Sequence, residues 1–294
     1  MKFIDLFAGI GGFHSGLEQN GHECVGWVEW DKFARQSYEA LYDTKGLYTA
    51  HDIKSIPNGN DFPYADIWTF GSPCTNISIA GNRQGLQGEQ SSMFFEVIRL
   101  LNDRDWEAKP TYLILENVKN LLSSNGGRDF QRVIAEMDQA GYNVEWRVFN
   151  SANFVPQHRE RVYVVGSLRG RIEGGRSVLS GFGEDEANLR PGQTIKVVAQ
   201  RSNYRSNNVI SVTGVSPTLN TAQGGGRVPH ILVEKNGQPA IRRLTPRECW
   251  RLQGFTDDQF DRVKAAGLSD TQLYKQAGNA VTVPVVAMIT KNLK

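Results

Sequence analysis

The sequence predicts an α/β protein with a doubly wound, Rossmann-like sheet and a smaller region made mostly of β-strands and loops. Up to about residue 167, short apolar runs alternate with helical stretches, which is typical of a mainly parallel sheet with helices on both faces. Residues 168–240 are rich in Gly, Ser, Asn and Arg and have little helical period, which indicates short strands and loops. We therefore expect one domain from residues 1–167 plus 272–294, and a smaller one, with its hinge, from residues 168–271.

The elements of the larger domain can be followed in order. Apolar runs predict strands at residues 2–7, 22–29, 65–70, 112–115, 144–149 and 162–165, and a short third strand that ends near residues 51–53. Helices are predicted after a glycine turn at residues 8–13, after the capping residue Asp31, and at residues 92–101 and 130–141. Thr245 and Glu248 form a capping box around Pro246 and so begin a helix that ends at Gly254. The apolar end of the chain should pack back on the first domain.

Composition and charge exclude several classes of protein. No apolar run reaches transmembrane length, and the chain begins directly with a strand rather than a signal peptide. Three widely spaced cysteines, Cys24, Cys74 and Cys249, form neither a disulfide framework nor a metal-ligand pattern. We therefore expect a cytoplasmic protein with no membrane and no metal partner, and a monomer.

The positive charge is concentrated in one part of the chain. Residues 167–251 hold thirteen Lys and Arg against six Asp and Glu, a net charge of +7, while the whole chain carries +2. A basic segment on a mildly acidic body indicates a face that meets a polyanion. Chance clustering on a solvated surface is the alternative.

Gly71, Ser72, Pro73 and Cys74 directly follow a predicted buried strand. Open α/β sheets place ligands and chemistry at the carboxyl ends of their strands. Proline restricts the backbone beside Cys74, and a glycine-punctuated polar stretch follows it. The pattern indicates a nucleophile on a loop, although an isolated cysteine is more often a buried thiol.

Further candidates stand at other strand ends. The glycine turn has His14 where a dinucleotide fingerprint has its last glycine, so a smaller ligand with an adenosine group fits better. Glu29 is placed to accept hydrogen bonds from ribose hydroxyls, Trp30 to cover an adenine, and Asp52 with Ile53 to hold its amino group. Each has an ordinary alternative, such as a solvated strand end or a core side chain.

Two further sets of polar residues are candidates for catalysis. Glu116 and Asn117 end the fifth predicted strand, where a carboxylate can act as an acid or bind a base edge; a helix cap is the alternative. Arg159 and Arg161, two apart on a strand, should point the same way and suit a phosphate or a carbonyl oxygen. Surface ion pairs are their alternative.

Taken together, the motifs resemble those of the cytosine-5 DNA methyltransferases. Six stretches match in family order: residues 5–13, 71–74, 116–118, 157–161, 243–248 and 276–281. The resemblance spans nearly the whole chain and implies an S-adenosylmethionine-dependent methyltransferase fold. It also implies a catalytic and cofactor-binding larger domain, a target-recognition smaller domain, and transfer of a methyl group to carbon 5 of a flipped-out cytosine in a specific duplex DNA sequence.

The resemblance also implies residue roles. The nucleophile would be Cys74, Glu116 would bind the target cytosine, and Arg159 and Arg161 would assist at the base carbonyl and the active-site loop. The S-adenosylmethionine pocket would be lined by Phe7, Ala8, Gly9, Ile10, Gly12, Glu29, Trp30, Asp52, Ile53, Pro73, Asn279 and Val281. The DNA contacts would come from Ser78, Thr218, Leu219 and Gly225.

Other readings stay open at this point. A tRNA methyltransferase of the same family shares the chemistry, but the length of the basic segment and the Thr218-Leu219 pair favour duplex DNA. An inactive DNA-binding module would not need Cys74, Glu116 and the two arginines. A nicotinamide dehydrogenase is disfavoured by His14 and the Pro-Cys pair. A cognate restriction endonuclease, acting as a separate protein, would be a partner if the chain is part of a restriction-modification system.

Overall fold

The computed structural model describes residues 1–71, 92–172, 177–179, 194–200, 208–222 and 227–293. Its larger sheet has seven strands: β1 Lys2–Leu6, β2 Glu23–Val28, β3 Tyr48–Ala50, β4 Ile67–Phe70, β5 Tyr112–Val118, β6 Tyr142–Asn150 and β7 Glu160–Leu168. The strand order is β3-β2-β1-β4-β5-β7-β6. The first five in this order pair in parallel, while β7 is antiparallel to both of its neighbours.

Helices cover both faces of this sheet. Those that precede β7 in the chain are α1 Gly12–Glu18, α2 Lys32–Leu41, α3 Ser92–Asn102 and α4 Arg128–Gln139. Ile4 lies in the hydrophobic cluster that includes residues of α3 and α4. Its neighbour Phe3 lies in a second cluster with residues of α1 and of the last helix. Successive strand residues thus enter different cores, which explains why these strands are apolar throughout.

The smaller sheet has four strands, in the order β11-β10-β9-β8. Their bounds are β8 Val197–Ala199, β9 Val209–Ser211, β10 His230–Lys235 and β11 Gln238–Arg243. The strands β10 and β11 form an antiparallel hairpin, and β10 runs parallel to β9. This confirms the prediction of short strands and loops.

Four helices end the chain: α5 Pro246–Arg251, α6 Asp257–Ala265, α7 Asp270–Asn279 and α8 Val283–Thr290. The Thr245 capping box is present. Helix α8 packs on α1, because a Cβ on Gly16 would lie only 2.6 Å from Val286 Cβ. Helix α6 contacts α2: Gln36 Nε2 donates to Ala266 O at 2.7 Å, and Arg262 Nη1 to Leu41 O at 2.8 Å. The proposed boundary of the smaller domain at residue 271 stays a prediction.

Two elements differ from the sequence expectation. β5 continues through Glu116 and Asn117, because both pair with β7, opposite Tyr163 and Val162. Gly278, expected in a turn, lies in the last turn of α7. Within the described ranges, no helix combines the length and the apolar character that crossing a membrane requires.

Candidate active site

The glycine turn after β1 has the backbone geometry of a ligand-binding loop. Phe7, Gly9 and Gly11 all have positive φ angles, of 56°, 57° and 76°. A positive φ is unusual for phenylalanine, and such strain concentrates at functional sites. A Cβ on Gly9 would meet nothing within 4 Å. The turn therefore leaves open space beside Gly9, as a bound ligand would require.

Glu29 is held beside this turn. Its Oε2 accepts from Gly9 N at 2.8 Å, and its Oε1 accepts from Asp31 N at 2.7 Å. Burial raises the pKa of Glu29 above the ordinary value. Because each carboxylate oxygen has a second lone pair, Glu29 can still accept hydrogen bonds from a ligand.

The other predicted adenosine contacts, Trp30, Asp52 and Ile53, differ in exposure. Trp30 is 74% exposed, so its ring face is free to cover a flat ligand. Asp52 caps a short 3₁₀ turn by accepting from Lys54 N at 2.9 Å. Ile53 is buried in the core.

The end of the chain closes the site from another side. A Cβ on Gly12 would lie 2.6 Å from Val281 Cγ2, so glycine is needed for this contact. Asn279 is exposed at the end of α7. Ala8 and Ile10 lie in a buried cluster with residues of α5, α6 and α7. The predicted cofactor residues from both ends of the sequence thus meet at one edge of the sheet.

Glu116 and Arg161 form the polar centre next to this edge. Arg161 Nε lies 3.1 Å from Glu116 Oε1, and both side chains are largely buried. This contact is an ion pair outside hydrogen-bond geometry, and Glu116 Oε1 has no hydrogen-bond partner among the described residues. A Cβ on Gly71 would lie 3.7 Å from Glu116 Oε2. The residue that precedes Ser72, Pro73 and Cys74 therefore lies beside the carboxylate.

Arg159 is buried immediately before β7. Its guanidinium donates to Leu219 O at 3.4 Å, Gly278 O at 3.3 Å and Ala280 O at 2.9 Å. Burial, with the nearby charge of Arg161, lowers its pKa to about 9. Arg159 Nε has no hydrogen-bond partner among the described residues. Two orphaned polar atoms, one acceptor and one donor, thus belong to neighbouring side chains at this site.

The predicted DNA-contacting pair lies against the same region. Leu219 is 4% exposed, and its N–H donates to Gln157 Oε1 at 2.9 Å. The Thr218 hydroxyl donates to His158 O at 2.7 Å. The Leu219 side chain is therefore buried, and the Thr218 hydroxyl already has a hydrogen-bond partner within the protein. Pro73, Cys74, Ser78 and Gly225 lie outside the described residues.

Sequence reasoning missed two supporting residues. Gln157 is completely buried and bonds two separate segments; its place in a matched motif was the only signal. The Tyr42 hydroxyl donates to Gly11 O at 2.7 Å, and its ring stacks on His14 at 3.7 Å. A Cβ on Gly11 would collide with this ring, so Tyr42 supports the glycine turn from beneath. No signal in the sequence marked it.

Across the described ranges, His, Cys, Asp and Glu side chains form no group of three or more that could hold a metal ion. Cys24 and Cys249 are buried, and burial raises the pKa of each thiol to about 12.

Comparisons with known proteins agree with this geometry. The family model "C-5 cytosine-specific DNA methylase" matches residues 1–186 and 176–294. The type II methyltransferase M.NgoBI of Neisseria gonorrhoeae is 35% identical over 309 residues, covering 99% of this chain and 92% of its own. The type II methyltransferase M.Bsp6I of Bacillus sp. (strain RFL6) is 33% identical over 329 residues, covering 100% and 98%.

Solved structures show the same fold. The Dnmt2 methyltransferase of S. pombe superposes with a TM-score of 0.71 at 18% identity, covering 98% of this chain and 96% of its own. The family match extends over nearly all of the chain, and the matched relatives are of similar length. The chain therefore belongs to the C-5 cytosine-specific DNA methylase family and is a DNA cytosine-5 methyltransferase.

Proposed function

We propose that the chain methylates cytosine in a specific duplex DNA sequence through a covalent bond between Cys74 and the base. The observation that carries this proposal is the convergence of three strand ends. Gly71 follows β4, Glu116 lies in β5 and Arg161 in β7. Glu116 pairs with Arg161 and lies where a Cβ on Gly71 would be in van der Waals contact with it. Cys74 follows Gly71 by three residues, which limits the distance between their Cα atoms to about 11 Å. This short separation supports a shared site for the thiol and the carboxylate.

The chemistry requires these residue types. The Cys74 thiolate adds to carbon 6 of cytosine, and the ring electrons move toward carbon 5, which becomes nucleophilic. Carbon 5 then takes the methyl group. Loss of the carbon-5 proton to a base and departure of the thiolate restore the ring and the enzyme.

Glu116 and the arginines act on the pairing edge of the base. The free lone pairs of Glu116 Oε1 suit the exocyclic amino group, and a guanidinium suits the ring carbonyl. These interactions strengthen as the ring gains charge during thiolate attack. A base stacked in a duplex cannot reach such a buried site, so the cytosine has to be flipped out.

Cys74 is also favoured over the other thiols. Cys24 is 8% exposed and Cys249 is 2% exposed. Because a nucleophilic cysteine needs an accessible thiolate, thiols whose pKa burial raises to about 12 are poor candidates.

S-adenosylmethionine fits the open edge beside the glycine turn. When bound, it would supply an electrophilic methyl group to carbon 5 and leave as S-adenosylhomocysteine. Glu29 would accept from its ribose, Trp30 would cover its adenine, and Asp52 with Ile53 would flank the adenine edge. The turn at residues 7–12, Pro73, Asn279 and Val281 would line the rest.

The basic segment is the proposed DNA-recognition region. Its net charge of +7 between residues 167 and 251 suits phosphate contacts, which position a protein on DNA, while groove contacts select the sequence. We place the enzyme in the cytoplasm, as a monomer acting on nucleoid DNA. Because relatives at 33–35% identity are type II methyltransferases, a separate restriction endonuclease is the proposed partner.

The decisive experiment uses Cys74→Ser together with a trapping substrate. We expect this variant to bind DNA and S-adenosylmethionine while losing methyl transfer, since a serine hydroxyl is far less acidic than a thiol. With 5-fluorocytosine at the target, the wild type should form a DNA adduct that survives denaturing electrophoresis. Fluorine cannot leave as a proton does, so the thiolate stays bonded to carbon 6.

Controls separate Cys74 from the other thiols. Cys24→Ser and Cys249→Ser should still form the adduct, and its formation should require S-adenosylmethionine. Full methylation by Cys74→Ser, or an adduct mapped by mass spectrometry to another cysteine, would refute the assignment. Bisulfite sequencing of DNA from expressing cells would give the target sequence.

A further inference from the structure

A polar joint fastens the recognition region to the catalytic sheet. We define the joint as residues 216–220 together with residues 156–159. Ser216 N donates to Pro156 O at 2.8 Å, and His158 N donates to Ser216 O at 2.7 Å. Gln157 and Ser216 form a parallel bridge. The 216–220 segment of the joint lies between β9 and β10 in sequence, so both halves of the smaller sheet lead into it.

Gln157 is the centre of the joint. It is 0% exposed. Its Oε1 accepts from Leu219 N at 2.9 Å, and its Nε2 donates to Leu252 O at 2.8 Å, at the end of α5. The buried Gln157 amide therefore hydrogen-bonds both Leu219, in the recognition region, and Leu252, the residue that follows α5. Losing such a partner leaves a buried backbone N–H unsatisfied, which is costly.

The joint is also packed against the last matched motif. A Cβ on Gly278 would collide with Asn220 O. Arg159 completes the connection by donating to carbonyls on both sides, Leu219 O and Gly278 O. The backbone at residues 219–220 is thus enclosed between two motifs of the catalytic domain.

The joint reaches the reacting centre directly. Arg159 ends the joint, and Arg161, two residues later, forms the ion pair with Glu116. A displacement of residues 156–159 would therefore move both the recognition region and the polar centre. Because they share one backbone segment, the two are mechanically linked.

We propose that Gln157 is a positioning residue that couples DNA sequence recognition to catalysis by fixing the 216–220 segment. This inference rests on the proposed function. Gln157 does not contact the base; it holds Leu219 and, through the shared backbone, the orientation of the recognition sheet relative to Glu116 and Arg161.

The test compares two buried glutamines. Gln157→Met keeps the length of the side chain but removes both hydrogen bonds of the side-chain amide. Gln253→Met is the matched control, because Gln253 is also 0% exposed and hydrogen-bonds Ala277 O at 2.6 Å and Thr282 Oγ1 at 3.0 Å, neither of which belongs to the joint. The measurement is kcat/KM on duplexes carrying the target sequence and on duplexes with one base pair changed.

The specificity ratio is kcat/KM on the target duplex divided by kcat/KM on the altered duplex. We expect Gln157→Met to lower this ratio about tenfold, which is the scale of discrimination at one base pair. S-adenosylmethionine affinity, measured by calorimetry, should stay within about twofold of wild type, since no joint residue lines that pocket. Gln253→Met should lose thermal stability but keep the ratio. Hydrogen exchange of peptides covering residues 216–222 should rise only in Gln157→Met, even without DNA.

An unchanged ratio in Gln157→Met would overturn the inference, as would an equal fall in Gln253→Met. If Gln157→Met does not fold, Gln157→Asn, with its amide drawn back by one methylene, is judged by the same ratio. A wild type that leaves no 5-methylcytosine would refute the proposed function, and the inference with it. An active wild type with an unaffected ratio in the Gln157 variants would refute only the inference.

Discussion

The two sheets of the protein differ in how much of their surface is covered. Almost every residue of β1, β4, β5 and β7 is buried. In contrast, all three residues of β8 and five of the six residues of β11 are exposed. The larger sheet has helical clusters on both faces, whereas β8 and β11 have little covering them among the described residues.

This difference separates the tasks of the two sheets. In the larger sheet, Glu29, Glu116 and Arg161 stand at or near the ends of buried strands, which fix their positions. The smaller sheet exposes apolar and charged side chains, including Val198, Ile241 and Arg242. We therefore expect substitutions in the larger sheet to change stability or S-adenosylmethionine binding, and exposed substitutions in the smaller sheet to change neither of these appreciably.

The largest effect is expected in the middle of the larger sheet. Leu113, in β5, is 0% exposed. Leu113→Ala should lower the free energy of unfolding by about 3 kcal/mol, because it removes buried methyl groups and leaves a cavity. Urea unfolding followed by circular dichroism measures this. A loss below about 1 kcal/mol would show that the larger sheet is less rigid than its burial implies.

The next effect concerns ligand binding at the edge of the same sheet. Glu29→Ala should weaken S-adenosylmethionine binding by about 2 kcal/mol, the scale of a hydrogen bond to a charged group. Glu39→Ala is the control, because Glu39 is exposed on α2 and pairs only loosely with Arg35 at 3.7 Å. Calorimetry on both variants measures the affinity for S-adenosylmethionine. An affinity equal to that of the wild type in Glu29→Ala would exclude Glu29 from the pocket.

The raised pKa of Glu29 gives this site a pH dependence. An ionised carboxylate accepts hydrogen bonds from ribose hydroxyls more strongly than the protonated acid does. The affinity should therefore be highest above the folded pKa of Glu29 and fall as the pH drops through it. Since burial raises that pKa, the fall should begin at higher pH than for an ordinary glutamate. The stability of the ligand-free protein depends on pH in the opposite direction. The folded state holds this proton more tightly than the unfolded state, so the stability contribution of Glu29 is present below its unfolded pKa and is lost as pH rises through the folded pKa.

Glu29→Gln isolates the contribution of this one carboxylate. We expect the variant to bind S-adenosylmethionine with an affinity that no longer changes over the same pH window. Titrations at several pH values test this, and an unchanged pH dependence in Glu29→Gln would assign it to another group.

The same contrast explains what the sequence could predict. Strands buried on both faces are continuous apolar runs, and local polar patterns mark helix starts, so the Asp31 and Thr245 caps were predicted and are present. The strand β5 was cut short because its last residues are polar, and only pairing with β7 keeps them in the sheet. Contacts between Gln157 and Leu219, roughly sixty residues apart, leave no local pattern. Their roles had to come from the structure.

A smaller effect is expected beneath the glycine turn. Tyr42→Phe removes the hydroxyl that donates to Gly11 O and contacts Ser15 Oγ at 2.7 Å, but keeps the ring that stacks on His14. We expect S-adenosylmethionine affinity to fall by about 1 kcal/mol, the net value of one neutral hydrogen bond, with kcat at saturating cofactor unchanged. Steady-state kinetics with both substrates varied measures KM for S-adenosylmethionine separately from kcat. A fall in kcat with unchanged KM for S-adenosylmethionine would contradict a positioning role for Tyr42.

The smallest effect is expected on the exposed sheet. Ile241 in β11 is 56% exposed and lies opposite Leu232 of β10. Ile241→Ala should change the free energy of unfolding by less than about 0.5 kcal/mol, because its methyl groups are already in contact with water and little cavity is created. Measured beside Leu113→Ala in the same urea series, it gives the contrast between the two sheets for one kind of truncation. A loss of unfolding free energy close to that of Leu113→Ala would mean that this face of β11 is covered in solution. It would contradict the contrast drawn between a buried larger sheet and an exposed smaller sheet.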